Sequence, residues 1–259
     1  MVYTPSAQSL RRATPADNGA PQRMVRPLDT RAGGERAVFS CDVQYLRRDG
    51  SIGAAHHRVP RTPPFLDAFT AFARGALIAT TAGPVAVEDL TPGMWLHTNE
   101  RGPSPLLWVG AMTMRPAACA REDAAPRLVR VMPDALGIGR PMADFMAGPG
   151  ARIMRRIPGL LDETLYPVTD LVDGTHAIEL RPPGAVHLYH LALHRHATIT
   201  AAGLHVETFH PGPGFDQNLG AADLALFLGL FPHVSRPVDF GSLAHPRGPL
   251  KGMGGAGAI

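Results

Sequence analysis

The sequence predicts an all-β fold, and three observations support this prediction. Short apolar runs of strand length recur from residue 75 onward. Turn residues separate these runs, and the chain contains 28 glycines and 26 prolines. Apolar residues at helical spacing are rare in the same region. Many short strands between Gly- and Pro-containing turns are typical of all-β domains.

The N-terminal region, residues 1–66, is predicted to contain little regular structure. Its first 36 residues mix proline, glycine, alanine and arginine without a helical or a strand period. Such a segment cannot bury enough apolar surface to offset its ordering entropy, so we expect it to be disordered. Residues 37–60 form a candidate hairpin, because the turn dipeptide Asp49-Gly50 joins two segments of strand type.

The predicted β domain spans residues 67–211. Trp95 and Trp108 lie on predicted strands beside apolar neighbours, and we expect both side chains to fill the core. The predicted strands are residues 76–80, 85–90, 94–98, 106–110, 128–132, 152–157, 177–180, 186–194, 197–201 and 204–209.

The C-terminal extension, residues 212–259, contains one helical pattern. Residues 219–231 are predicted to form a short helix, which ends before Pro232 as helices tend to do. The last residues, from Gly248 onward, are predicted to be a flexible tail.

Composition excludes several classes of function. The formal net charge is only +3, and no long arginine run is present, so we expect no nucleic-acid partner. The two cysteines, Cys41 and Cys119, lack the spacing of a zinc site or a disulfide framework, and we expect two ordinary thiols and no cofactor. Lys251 is the one lysine among 25 basic residues, a bias that favours a bacterial source.

The sequence also lacks targeting signals. Its amino terminus has no apolar core of a secretory signal, and no stretch approaches the ~20 apolar residues that span a bilayer. We therefore expect a soluble, cytoplasmic protein that does not insert into a membrane.

Residues 71–110 carry a series of motifs in a fixed order. Ala71-Phe72 precedes a Gly-Ala-Leu-Ile run, followed by Glu88-Asp89-Leu90, Pro92-Gly93 and Trp108-Val109-Gly110. Together with residues 136–156 and 186–212, this series resembles bacterial Hint domains, the fold shared by inteins and Hedgehog autoprocessing domains. The resemblance implies a compact disk of β-hairpins with pseudo-twofold symmetry, whose first residue lies at the centre beside a histidine from a later strand.

The resemblance also implies where self-cleavage chemistry should lie. In Hint domains a Cys or Ser attacks the carbonyl of the preceding peptide bond, and a histidine in a Ser-Pro-x-His-Arg block protonates the departing nitrogen. Here Ala71 stands at the nucleophile position and Ala151 at the histidine position. We therefore predict a domain deficient in autoprocessing that binds a peptide or protein partner.

Two other functions stay open at this point. A one-residue shift would place the Thr70 hydroxyl at the start of the domain and allow residual autoproteolysis by an N–O acyl shift, with His196 and His210 as candidates for proton transfer. A structural metal site is the other alternative. If residues 186–196 form one strand, His194 and His196 lie about 6.6 Å apart on the same face and could share an ion.

Overall fold

The computed structural model describes residues 37–116, 127–156 and 163–249. Within these ranges the chain forms fifteen β-strands and two α-helices, and the pairings between strands are antiparallel, so the all-β prediction is confirmed. The strands are β1 (Val38–Leu46), β2 (Ile52–Pro60), β3 (Phe72–Ala73), β4 (Leu77–Thr80), β5 (Gly83–Ala86), β6 (Trp95–Thr98), β7 (Gly102–Met114), β8 (Leu128–Val131), β9 (Phe145–Ala147), β10 (Arg152–Arg155), β11 (Thr164–Pro167), β12 (Ala177–Leu180), β13 (Val186–Leu193), β14 (Thr198–Ala201) and β15 (Leu204–Glu207); the helices are α1 (Pro63–Asp67) and α2 (Ala221–Gly229).

The long strand β7 organises the sheet. Its first residues pair with β6, and its later residues pair with β13 on one side and β1 on the other. The main order of strands is β11-β10-β15-β14-β4-β6-β7-β13-β3-β9-β8-β12, so β11 and β12 are its two end strands. This order brings β3, which follows Ala71 directly, between β13 and β9.

Two differences between the predicted strands and the structure concern the candidate site residues or their neighbours. The strand predicted over residues 85–90 ends at Ala86, and Val87–Asp89 form a 3-10 turn. Within this turn, the Glu88 carboxylate accepts a hydrogen bond from the Gly75 N–H at 2.8 Å. The predicted strand 186–194 is observed as β13, which ends at Leu193 before a bend, so residues 186–196 do not form the single strand on which a metal site at His194 and His196 depends.

Residues 37–60 form the hairpin β1–β2 around Asp49-Gly50. Gly50 has a φ of +82°, which glycine adopts without strain, and the Asp49 carboxylate accepts a hydrogen bond from the Ser51 N–H at 2.9 Å. Alternate residues of β1 are buried, Cys41 and Val43 among them. Since β1 also pairs with β7, the hairpin is part of the same sheet as the central strands.

The buried apolar residues form two hydrophobic cores. The first core surrounds β3, β9 and β14, and the second joins the hairpin to the C-terminal extension. Helix α2 forms within the predicted residues 219–231. Phe231, just after the helix, packs against Trp108, which is fully buried and donates its indole N–H to the Leu230 carbonyl at 2.7 Å. The prediction for Trp108 is therefore confirmed. Trp95 remains 52% exposed, and the prediction that it fills the core is wrong.

Several expectations concern residues that the structure does not describe. Disorder of residues 1–36, the state of Cys119 and the tail beyond residue 249 all lie outside the described ranges. Gly248 is described and is not free, because its N–H donates to the Leu165 carbonyl at 3.1 Å. Within the described ranges, neither helix combines the length and apolar character that crossing a bilayer requires.

Candidate functional site

Thr70 and Ala71, which we call the buried centre, lie between α1 and β3, where the two cores meet. Both residues are fully buried. The Ala71 N–H donates to the Tyr189 carbonyl at 3.1 Å, and the Ala71 carbonyl accepts from the Gly148 N–H at 3.0 Å. The peptide groups on either side of Ala71 are therefore held in place by neighbouring strands.

The loop of residues 148–151 lies directly against Thr70 and Ala71. The Gly150 N–H donates to the Thr70 carbonyl at 3.1 Å, and a Cβ added at Gly148 would lie 2.2 Å from the same oxygen. Only glycine permits so close an approach of two backbones. Ala151 is fully buried next to this contact. The structure thus brings together the two segments that carry Ala71 and Ala151.

The Thr70 hydroxyl faces the same loop. Its Oγ1 accepts a hydrogen bond from the Gly150 N–H at 3.2 Å. Across the described residues no titratable side chain is hydrogen-bonded to this hydroxyl. Within the described ranges, no hydrogen-bonded side chain can therefore act as the base that removes the proton of the Thr70 hydroxyl.

His190 on β13 is the histidine next to this centre. Its Nδ1–H donates to the Asp67 carbonyl at 2.7 Å, and its ring packs edge-on against Phe72 and Phe209. Burial lowers the pKa of His190 to about 4. Its Nε2 is buried without a hydrogen-bond partner among the described residues. His190 is therefore neutral at pH 7 and holds the end of α1.

Glu207 on β15 lies at the centre of a buried polar network. Only 3% of its side chain is exposed. Its Oε1 accepts hydrogen bonds from His196 Nε2–H at 2.9 Å and from Arg247 Nε–H at 2.8 Å, and Arg152 Nε lies 3.6 Å from its Oε2. Burial alone would raise the pKa of Glu207, but the His196 hydrogen bond and the Arg247 charge hold it below its ordinary value.

The two ring nitrogens of His196 are both engaged. Its Nδ1 accepts from the Ala244 N–H at 2.8 Å, which fixes the proton on Nε2, where it is donated to Glu207. His194 is exposed in the bend after β13. Neither nitrogen of His196 is therefore available to an ion shared with His194. No group of three or more candidate metal ligands occurs among the described residues.

His210 closes the loop after β15. Its Nε2–H donates to the Gly241 carbonyl at 3.1 Å, and its Nδ1 accepts from the Gly212 N–H at 2.9 Å. Burial lowers its pKa to about 4. Because the carbonyl and the amide use both nitrogens, the contacts of His210 are those of a structural residue.

Sequence reasoning missed Glu207, Arg247 and Arg152. Glu207 had a weak signal, since it is a carboxylate that follows the buried apolar residue Val206 in a strand. Arg247 had none, because it lies in an irregular Gly- and Pro-rich segment, 40 residues along the chain from Glu207. Cys41 was correctly predicted to be an ordinary thiol, because it is buried and desolvation raises its pKa to about 12.

Comparisons with known proteins identify one family. A family model described as the Hint domain matches residues 70–213. No curated protein matches the chain significantly. The matched residues begin at Thr70 and include the buried centre, Glu207 and His210.

Proposed function

Because the chain belongs to the Hint domain family, we propose that it is a member that has lost self-cleavage and binds a peptide or protein segment. One observation carries this proposal. Two fully buried alanines, Ala71 and Ala151, stand where the resemblance assigns the nucleophile and the general acid.

The chemistry of these two side chains supports the loss of self-cleavage. The reaction begins when a side-chain oxygen or sulfur attacks the preceding peptide carbonyl, and the methyl group of Ala71 cannot form this bond. Ala151 cannot donate a proton to the departing nitrogen, a contribution typically worth ~10² to 10⁴ in rate. Two independent losses at one centre favour an inactive domain over a displaced active site.

Residual self-cleavage through Thr70 is the second candidate function. Its hydroxyl would attack the Phe69 carbonyl, and a base would first have to accept the hydroxyl proton. In the described parts of the chain, the Thr70 hydroxyl is hydrogen-bonded to a backbone N–H and not to a base. This arrangement argues against the reaction, although it keeps a hydroxyl within one residue of the centre.

A surface groove close to this centre supports the binding role. It has a volume of about 580 Å³ and begins at Ala73, two residues after Ala71. Apolar side chains line most of it, with Arg74 and Arg181 among the polar ones. Its other lining residues are Leu128, Met146, Leu180, Pro182, Pro183, Ala185, Val186 and His187.

The strand next to the groove can accept an extended segment. β12 is an end strand of the sheet, and Leu180 at its end lines the groove. An end strand offers unpaired backbone groups, and a peptide that adds to such an edge can place alternate side chains in a neighbouring pocket. We therefore propose that the partner binds as an extended strand along β12, with apolar side chains in the groove.

Selection from a random peptide library tests this proposal. Peptides enriched on the full-length protein should lose at least about tenfold in affinity for Leu180→Glu, because a carboxylate would be placed in the apolar groove. Ile138→Glu is the matched control, since Ile138 is fully exposed and does not line the groove. If the enriched peptides bind both variants equally, the groove is not their binding site.

A further inference from the structure

The segment Ala244–Gly248 lies against the other end of the sheet as an added strand. The Leu165 N–H donates to the Pro246 carbonyl at 2.9 Å, and the Gly248 N–H donates to the Leu165 carbonyl at 3.1 Å. Leu165 and Arg247 form a parallel bridge. Since β11 is an end strand, the segment adds to the sheet as an extended peptide ligand would.

A buried pocket holds the Arg247 side chain of this segment. Its Nε–H donates to Glu207 at 2.8 Å, and its Nη2–H donates to the His210 carbonyl at 2.6 Å. Only 19% of the arginine side chain and 3% of the Glu207 side chain are exposed. A planar guanidinium with several donors can satisfy two such acceptors together, whereas a lysine ammonium lacks this fork geometry.

Two arginines lie among the acidic side chains around the pocket. Two carboxylates, Glu207 and Asp67, interact with the guanidinium groups of Arg152 and Arg247. Without Arg247, Arg152 would be the one guanidinium left beside these two carboxylates. Desolvation raises the pKa of Asp67, and the two arginines oppose this shift. A pocket that offers a buried carboxylate and a backbone carbonyl as acceptors suits an arginine side chain.

A second acidic side chain binds the segment two residues earlier. His245 Nε2 lies 3.0 Å from the Glu100 carboxylate, which also accepts hydrogen bonds from Thr198. Ala244 and Pro246 are exposed, whereas His245 and Arg247 are partly buried. This alternation is that of an extended strand with one face on the protein, held by polar contacts and by no large apolar anchor.

We propose that the pocket at Glu207 is a binding site for an arginine side chain of an extended peptide, and that Ala244–Gly248 is its intramolecular occupant. A partner segment with arginine at the matching position competes with this occupant. The site is separate from the groove beside β12, so an arginine side chain can bind here whether or not the groove binds a peptide. With this site, the domain binds a second kind of ligand, a guanidinium group.

A small-molecule rescue tests the pocket. In full-length Arg247→Ala, methylguanidinium should raise the melting temperature saturably, and methylammonium should raise it less at every concentration. The wild type should show no such rise, because its own arginine fills the pocket. Arg247→Ala with Glu207→Gln should also show none. Equal effects of the two cations on Arg247→Ala would overturn the proposal.

A peptide measurement tests the competition. The capped peptide Ala-His-Pro-Arg-Gly should bind full-length Arg247→Ala at least about tenfold more tightly than it binds the wild type, and more tightly than the same peptide with lysine. If Arg247→Ala does not fold, Arg247→Gln, which places no cation in the pocket, replaces it in both measurements. Rescue by methylguanidinium without peptide binding would show that the segment is a fixed part of the fold, and would overturn the proposal.

Discussion

At the scale of single residues, burial decides which titratable groups can act. His190 and His210 are neutral at pH 7 because desolvation lowers the pKa of each to about 4. Glu207 stays ionised because His196 and Arg247 offset its desolvation. Each of these groups has a defined charge and defined hydrogen-bond partners, so the network stabilises the fold around the buried alanines.

The low pKa of His190 predicts a specific pH dependence of stability. Between pH 6.5 and 4, the unfolded chain binds a proton at this histidine and the folded chain does not, so stability falls as the pH falls through this window. From pH 7 to pH 5 the loss from one such histidine is roughly 2 kcal/mol in the free energy of unfolding. Urea denaturation of His190→Gln should show that much less pH dependence than the wild type.

His187→Gln is the control for this measurement, because His187 lies on the same strand and is exposed. This variant should keep the pH dependence of the wild type. An unchanged pH dependence in His190→Gln would show that His190 binds its proton equally in the folded and unfolded chains, and would contradict the lowered pKa.

At the scale of elements, the sequence predicted β-strands well where apolar residues recur between turns, and less well where side chains redirect the backbone. The Glu88 carboxylate turns the chain after β5, and a bend after Leu193 separates two histidines that a continuous strand would align. The polar network could not be predicted, because Arg247 and Glu207 come into contact only once the segment Ala244–Gly248 has packed against β11 and β15. Local patterns specify elements, but long-range contacts assemble sites.

Gly212, in the loop after β15, lies against Arg247, so we expect the packing of the segment Ala244–Gly248 to depend on this glycine. A Cβ at Gly212 would lie 2.9 Å from Arg247 Nη1, whereas the nearest atom to a Cβ at Gly214 is 3.5 Å away. Both glycines have positive φ, so alanine at either site introduces backbone strain of about 1–2 kcal/mol. Gly212→Ala should lose a further 1–3 kcal/mol, roughly, because it displaces the Arg247 guanidinium.

Thermal or urea denaturation in two backgrounds isolates this contact. In Arg247→Ala, the difference between Gly212→Ala and Gly214→Ala should shrink, since no guanidinium remains to be displaced. If the difference in unfolding free energy between the two variants persists unchanged, backbone strain alone accounts for it.

At the scale of the whole molecule, the flanking segments enclose the centre of the domain. The hairpin β1–β2 pairs with β7, Phe227 of α2 packs against Phe209, and Phe231 just after α2 packs against Trp108. The second core is therefore built from residues before and after Ala71, whereas the buried residues of the first core begin at Ala71. The sequence identified the family and the two alanines, but not this enclosure, because composition alone does not show that flanking segments pack onto a domain.

This enclosure has a consequence for detecting cleavage. A chain cut before Thr70 would keep its N-terminal part attached through the pairing of β1 with β7. The two fragments would then elute together under native conditions. Only a denaturing measurement separates them.

Denaturing intact-mass spectrometry of the full-length chain, before and after prolonged incubation with a strong thiol, tests the central claim most directly. We expect one unchanged mass in both samples, because neither Ala71 nor an unassisted Thr70 hydroxyl forms the ester or thioester that a thiol would cleave. Thr70→Val, which removes the hydroxyl and keeps the side-chain shape, should give the same result. A fragment boundary before Thr70 or Ala71 in the wild type, absent in Thr70→Val, would contradict the claim and identify Thr70 as the nucleophile.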